Sequence, residues 1–241
     1  MKLIIERDDF KITQDKTNSN RYSINFTINS ELLIHSISST KIILGATTTE
    51  NYDIISFNAT SVETFNQYLN GLKEMRYNST LKMVSDLSLQ LNYLLKTYKH
   101  TFLGYNPDNL IVVDGNKYIY ISNEYLLNIN NPDEEKKGED EAEVTITCPF
   151  SQDDFFMSPE LYNVKELPAK VHYKTIYFSL GSIIIYGITG NQDFLKDEDD
   201  KPIYQKLNDT LECLPIRGSK LYWLLKRCLD EEPKRRSIIF I

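Results

Sequence analysis

Apolar residues come in short bursts over the first quarter of the chain and at helical spacing over much of the rest. Up to residue 57 the bursts are Leu3-Ile4-Ile5, Phe10-Lys11-Ile12, Tyr22-Ser23-Ile24-Asn25-Phe26, Leu32-Leu33-Ile34, Lys41-Ile42-Ile43-Leu44 and Tyr52-Asp53-Ile54-Ile55-Ser56-Phe57. Polar clusters such as Thr17-Asn18-Ser19-Asn20 and Asn29-Ser30 separate them. Alternation at Tyr22, Ile24, Phe26 and Ile28 marks a half-buried strand. This segment reads as a small antiparallel sheet.

From residue 60 the period changes. Thr60-Ser61-Val62-Glu63 fits a capping box, and Val62, Phe65, Leu69 and Leu72 continue at helical spacing. A longer helix is predicted from Ser79 to Lys99. Its apolar face carries Leu81, Val84, Leu87, Leu91, Leu94, Leu95 and Tyr98, with Asp86, Gln90 and Lys96 elsewhere. Leu110–Val113 and Tyr118–Ile121 read as two strands joined at Asp114-Gly115, a dipeptide that suits the positive φ of a tight hairpin. Further helices are expected near 175–189, 203–211 and 219–230.

Composition narrows the class. The chain has 241 residues, 41% hydrophobic and 25% charged, a globular balance. The net charge of −7 argues against nucleic acid or an anionic membrane surface as the partner. Cys148, Cys213 and Cys228 lie far apart and are odd in number, which argues for a reducing compartment, hence the cytoplasm. No targeting segment is visible, and the apolar run 177–188 suits a buried helix rather than a membrane span. Residues 132–143 carry seven acidic and two basic side chains and read as a mobile solvated loop. High Ile, Asn and Tyr with only 9 Gly reflect an AT-rich coding sequence and say little about chemistry.

Four local strings, in order, resemble protein kinases. Phe156-Met157-Ser158-Pro159-Glu160 resembles the end of the activation segment. Lys174–Gly181, running into Ile183–Gly190, is similar to the helix bearing Trp-Ser-Leu-Gly and a closing Thr-Gly. Leu225–Arg236 resembles the final Cys-Leu-x-x-Asp-Pro-x-x-Arg, and Asn106-Pro107-Asp108-Asn109-Leu110-Ile111 resembles the catalytic-loop stretch Lys-Pro-Glu-Asn-Ile-Leu. The resemblance implies an α+β, bilobal kinase-like fold. Residues 1–57 would form a reduced β-rich N-lobe, with little room for the helix that carries the glutamate partner of the ATP lysine. Residues 58–241 would form a helical C-lobe. The structural positions carried over are Ser158, Pro159, Glu160, Gly181 and Arg236, with Glu160 and Arg236 paired. Such relatives occur in large DNA viruses of eukaryotes, which would place the chain in the host cytoplasm.

The same alignment removes the chemistry. Phosphoryl transfer needs a phosphate cradle, divalent metal and a carboxylate to orient the nucleophile. Gly45 is the first glycine, too late for a phosphate loop. The ATP lysine has no clear match, Lys41 being the nearest candidate. Gly104 stands where the catalytic aspartate belongs, Asn106 where its lysine belongs, and Asn123 where the metal aspartate belongs. Asn109 alone keeps a cofactor-binding position, as a vestige. Ile176 replaces the aspartate that braces the catalytic loop. The expectation is a catalytically degenerate, cofactor-free binding or scaffolding module with a protein partner, without catalytic or metal-binding residues. The alternative is a divergent active serine/threonine kinase using ATP and Mg²⁺, with His100, Glu124 or Asp108 in substitute roles. A different two-lobed α+β fold is the third reading. Thr145, Thr147 and Ser151 are candidate phosphorylation sites. Asp153-Asp154 and Asp197–Asp200 read as solvated turns, and Cys213, Cys228 and Trp223 as helix packing.

Overall fold

The computed structural model describes residues 1–72, 74–130, 142–151, 156–191 and 203–238. The fold is α+β with antiparallel sheets. It divides into two compact units, neither continuous in sequence. The first comprises Met1–Leu72, Lys82–Lys99 and Pro107–Leu126, and the second Lys73–Leu81, His100–Asn106 and Leu127–Ile241. Among the described residues no helix is long and apolar enough to cross a membrane.

The first unit is built on a five-stranded antiparallel sheet of order β1-β2-β3-β5-β4. Its strands are β1 (Lys2–Glu6), β2 (Phe10–Gln14), β3 (Arg21–Phe26), β4 (Thr47–Thr48) and β5 (Ile54–Asn58). Alternate residues face the core, so Phe10, Ile12, Ile24, Ile55 and Phe57 are fully buried. Two predicted strands are absent. Leu32-Leu33-Ile34 belongs to helix α1 (Glu31–Thr40), and Lys41 ends that helix at φ 55° as its left-handed cap. Leu33, Ile34 and Ile37 bury one helical stripe. That burial outweighs the weak helix propensity of a segment rich in Ser, Thr and Ile.

A second, three-stranded sheet has the order β6-β8-β9, from β6 (Val62–Thr64), β8 (Leu110–Val113) and β9 (Lys117–Tyr120). Val62, expected to be helical, is therefore in a strand. The helix begins at Phe65, as α2 (Phe65–Leu72). Its capping box lies four residues later than predicted. Gln67 N–H donates to Thr64 Oγ1 at 3.2 Å, and Thr64 N–H donates back to Gln67 Oε1 at 2.9 Å. Thr60 instead donates its N–H and hydroxyl to Asp114 Oδ1 at 2.6 and 2.8 Å. Asp114 and Gly115 take φ 54° and 66°, as the hairpin prediction requires.

Helix α3 (Tyr77–Tyr93) runs on into a π-helical turn (Leu94–Tyr98) that Lys99 ends at φ 56°. Asp86 and Gln90, expected off the buried face, are themselves buried. They serve the free edge of β9. Tyr118 N–H donates to Asp86 Oδ2 at 3.1 Å, and Tyr120 N–H donates to Gln90 Oε1 at 3.0 Å. The Gln90 amide also donates to Tyr120 O at 2.9 Å and Ser36 Oγ at 3.1 Å, so one side chain joins α1, α3 and β9. Buried strand-edge amides need such partners.

The second unit holds a sheet of order β12-β11-β10-β7. Its strands are β7 (His100–Phe102), β10 (Leu126–Asn130), β11 (Glu143–Ile146) and β12 (Ala169–His172). Its helices are α4 (Pro159–Tyr162), α5 (Thr175–Thr189), α6 (Ile203–Cys213) and α7 (Lys220–Cys228). Helix α5 is buried on nearly every side, as its largely apolar run foretells. Glu143, placed in the acidic loop by composition, starts β11. The rest of that loop's charged residues lie outside the described residues, as do Asp153-Asp154 and Asp197–Asp200.

Candidate functional site

The turn between β1 and β2 is Arg7-Asp8-Asp9, closed by Arg7 N–H to Phe10 O at 2.9 Å. It carries three charged side chains and no glycine. Two of them reach segments that the kinase resemblance singled out. Asp9 Oδ2 accepts from Asn123 N–H at 3.3 Å, and its carboxyl also accepts from the Ser122 hydroxyl. Arg7 pairs with Asp108 at 3.1 Å, and Asn66 Nδ2 donates to the same Asp108 oxygen at 2.9 Å. The Asn123 amide donates to Ser30 Oγ, just ahead of α1. Thr27 N–H and hydroxyl both bond to Asp9 O, at 3.0 and 3.1 Å, and fix the turn from β3's end.

Burial pushes the Asp9 carboxyl above its usual pKa, against the lowering effect of the Asn123 N–H. A carboxylate here is a poor neighbour for phosphate. The turn has no glycine, the residue that lets a backbone come close to phosphate. The turn thus joins its own unit's segments by side-chain bonds to Asp108, Ser122 and Asn123.

The remaining sequence candidates are dispersed. Asn109 is half-buried, and its carbonyl accepts from Ile121 N–H at 3.0 Å, a hairpin role. Lys41 is an exposed helix cap, not a strand lysine, because the segment it was thought to head is helical. Strand β3 holds no lysine, and Arg21 at its start donates to Thr47 Oγ1 at 3.0 Å. Glu124 is exposed, His100 opens β7, and Asp108 is taken by Arg7 and Asn66. Among the described residues no three His, Cys, Asp or Glu side chains gather as a metal site would require. Arg7, Asp9, Ser30 and Asn66 escaped sequence reading. The one available signal was a charged triplet between two apolar strands.

The second unit collects the structural positions. Arg236 is fully buried and makes a two-pronged pair with Glu160, at 2.5 and 2.9 Å. Its Nε donates to Asp230 O at 2.8 Å and Nη2 to Glu231 O at 3.2 Å, while the guanidinium lies 5.1 Å over the Phe178 ring. Pro159 opens α4 after Ser158, whose hydroxyl lies 2.5 Å from Thr175 Oγ1 at the start of α5. Gly181 permits close packing. A Cβ there would sit 3.0 Å from Leu229 Cδ2 and 3.2 Å from Cys228 Cβ. Burial drives the Cys228 thiol up to about 12, so it is an inert packing group.

The loop after β7 is braced despite Ile176. Tyr105 N–H donates to Ser179 Oγ of α5 at 2.7 Å, and Tyr105 O accepts from Phe156 N–H at 3.1 Å. A hydroxyl one turn along α5 from Ile176 supplies this support. Gly104, buried in that loop, offers no side chain. Two packing expectations fail: Cys213 is exposed at the end of α6, and Trp223 on α7 is 54% exposed. Compared with known protein families and with curated proteins, the chain matches none.

Proposed function

We propose that the chain is a catalytically degenerate relative of protein kinases that works as a protein-binding or scaffolding module in the cytoplasm. The order of elements supports the kinase-like part of this reading. A five-stranded antiparallel sheet comes first, with α1 between its third and fourth strands, where the family carries its glutamate-bearing helix. The long α3, the loop around Gly104, the hairpin after Asn109 and the Glu160–Arg236 pair follow in the family's sequence. The shared scaffold suggests selection for shape; the missing groups suggest release from catalysis.

One observation supports the degenerate part: in the turn that the kinase reading would assign to phosphate, Arg7 and Asp9 bind Asp108 and Asn123. The Asp9 carboxyl at this turn would repel a phosphate, and the Arg7 guanidinium is already paired with Asp108. The carboxylates needed to hold magnesium and orient a hydroxyl are replaced by Asn123 and Gly104. The direct test is transfer of radiolabelled γ-phosphate from ATP, with Mg²⁺ or Mn²⁺, to the chain itself and to a generic acceptor protein. The expected result is no transfer above a no-protein blank. Transfer abolished by Asn109→Ala would restore the enzyme reading.

A further inference from the structure

Helix α7 is amphipathic in an unusual way. Its inner face is apolar and buried: Leu221, Leu224, Leu225 and Cys228. Its outer face exposes Lys220, Trp223 and Arg227, at spacings of three and four residues. These three therefore form one stripe about 10 Å long at a 1.5 Å rise per residue. Tyr222 stands edge-on to the indole, with ring centres 5.2 Å apart and planes at 81°. It steadies the indole and leaves much of it in water.

The charges around the stripe are unevenly used. Glu212 of α6 accepts from the Tyr222 hydroxyl at 2.7 Å and from Lys226 at 3.2 Å, and lies 3.6 Å from Arg217. These contacts hold the Glu212 carboxyl below its usual pKa, so it is an anion already committed. Among the described residues Lys220 and Arg227 have no carboxylate partner. A large aromatic flanked by two free cations is therefore presented to solvent on a chain whose net charge is −7. Exposed Trp and Arg are the residue types that most often anchor protein interfaces.

We propose that the outer face of α7 docks an acidic segment of a partner protein, which lays an apolar side chain over Trp223 and sets carboxylates against Lys220 and Arg227. Charge complementarity selects this occupant. Two free cations on a strongly negative chain make too small a footprint for a nucleic-acid backbone, which needs a broader basic surface. The site is independent of whether the first unit binds nucleotide.

Trp223 is the sole tryptophan, so its emission reads this surface directly. The full chain is titrated with an acetylated, amidated hexapeptide, Asp-Glu-Leu-Phe-Glu-Asp, and with its Asn/Gln counterpart. The acidic peptide shifts the emission to the blue in a saturable way, and added salt weakens it. The double variant Lys220→Gln, Arg227→Gln, whose thermal midpoint checks folding, weakens it about tenfold or more, the loss of two charge-assisted contacts. The neutral peptide produces no shift at the same concentration. No shift at millimolar acidic peptide, or equal binding by the double variant, overturns the proposal. So does an oligothymidylate that binds more tightly than the peptide, or a blue shift that grows with chain concentration alone, which makes a second copy the occupant.

Discussion

Arg236 and Arg7 each hold a carboxylate, Glu160 in the second unit and Asp108 in the first. Arg236 is wholly buried, grips both oxygens of its partner, and donates further to the Asp230 and Glu231 carbonyls. Arg7 makes one contact, with the two side chains 38% and 42% exposed. A buried pair is costly to break from one side, whereas an exposed pair is screened and contributes little. The second unit's pair is thus a structural lock. The first unit's pair belongs to a turn that fills space and matches charge without holding the fold together.

The sharpest way to break this contrast is Arg236→Met. It strands Glu160 next to two unpaired carbonyls, and equilibrium denaturation should show a loss of about 3–5 kcal/mol. A loss below about 1 kcal/mol would put the lock on a par with an exposed pair. Next comes Gln90→Leu in the first unit, which leaves the Tyr120 N–H and carbonyl and Ser36 without their shared partner. The expected loss is about 2 kcal/mol, the cost of buried groups left unsatisfied.

Acid titration gives a smaller effect. Although partial burial works against it, Lys117 and the Thr60 donors hold the Asp114 carboxyl down to about 2. A lowered pKa means the ionised form is preferred in the native state. Its contribution is present above the ordinary value of 3.8 and fades as pH falls toward 2. Burial raises the carboxyls of Asp9 and Asp86, and their contributions run the other way, easing as acid protonates them. Asp114→Asn should cost about 1 kcal/mol at neutral pH, after screening at this partly exposed site, and flatten the acid limb between those two values. Smallest is Arg7→Ala, for which urea denaturation should report less than about 1 kcal/mol.

Legibility followed how local each signal was. The Asp114-Gly115 hairpin and the apolar helix α5 were readable because a dipeptide and a single, largely apolar run specify them. Helix α1 was not. Its Ser36 and Thr40 hydroxyls bond back to Leu33 and Ser36 carbonyls at 2.7 and 2.6 Å, and its Ile-rich composition favours strand. Only the tertiary burial of Leu33, Ile34 and Ile37 decides the matter. Trp223 was misread for a different reason. The spacing of Leu221, Leu224, Leu225 and Cys228 already put residue 223 outside, and the hydrophobicity of indole obscured it. The site itself was half legible. The positions at which the kinase resemblance lacks its catalytic groups could be counted along the chain, but the Arg7-Asp8-Asp9 turn depends on Arg7 and Asp9 meeting Asp108 and Asn123, contacts across about a hundred residues or more.

The proposed function requires that the first unit receive no nucleotide. A thermal-shift titration with ATP to millimolar concentration, with and without Mg²⁺, addresses it directly. A ligand at 100 times its dissociation constant stabilises the native state by about 2.7 kcal/mol, a shift of several degrees in a chain of this size. The expected result is an unchanged midpoint under both conditions. A saturable, Mg²⁺-dependent rise that Asn109→Ala removes would contradict it.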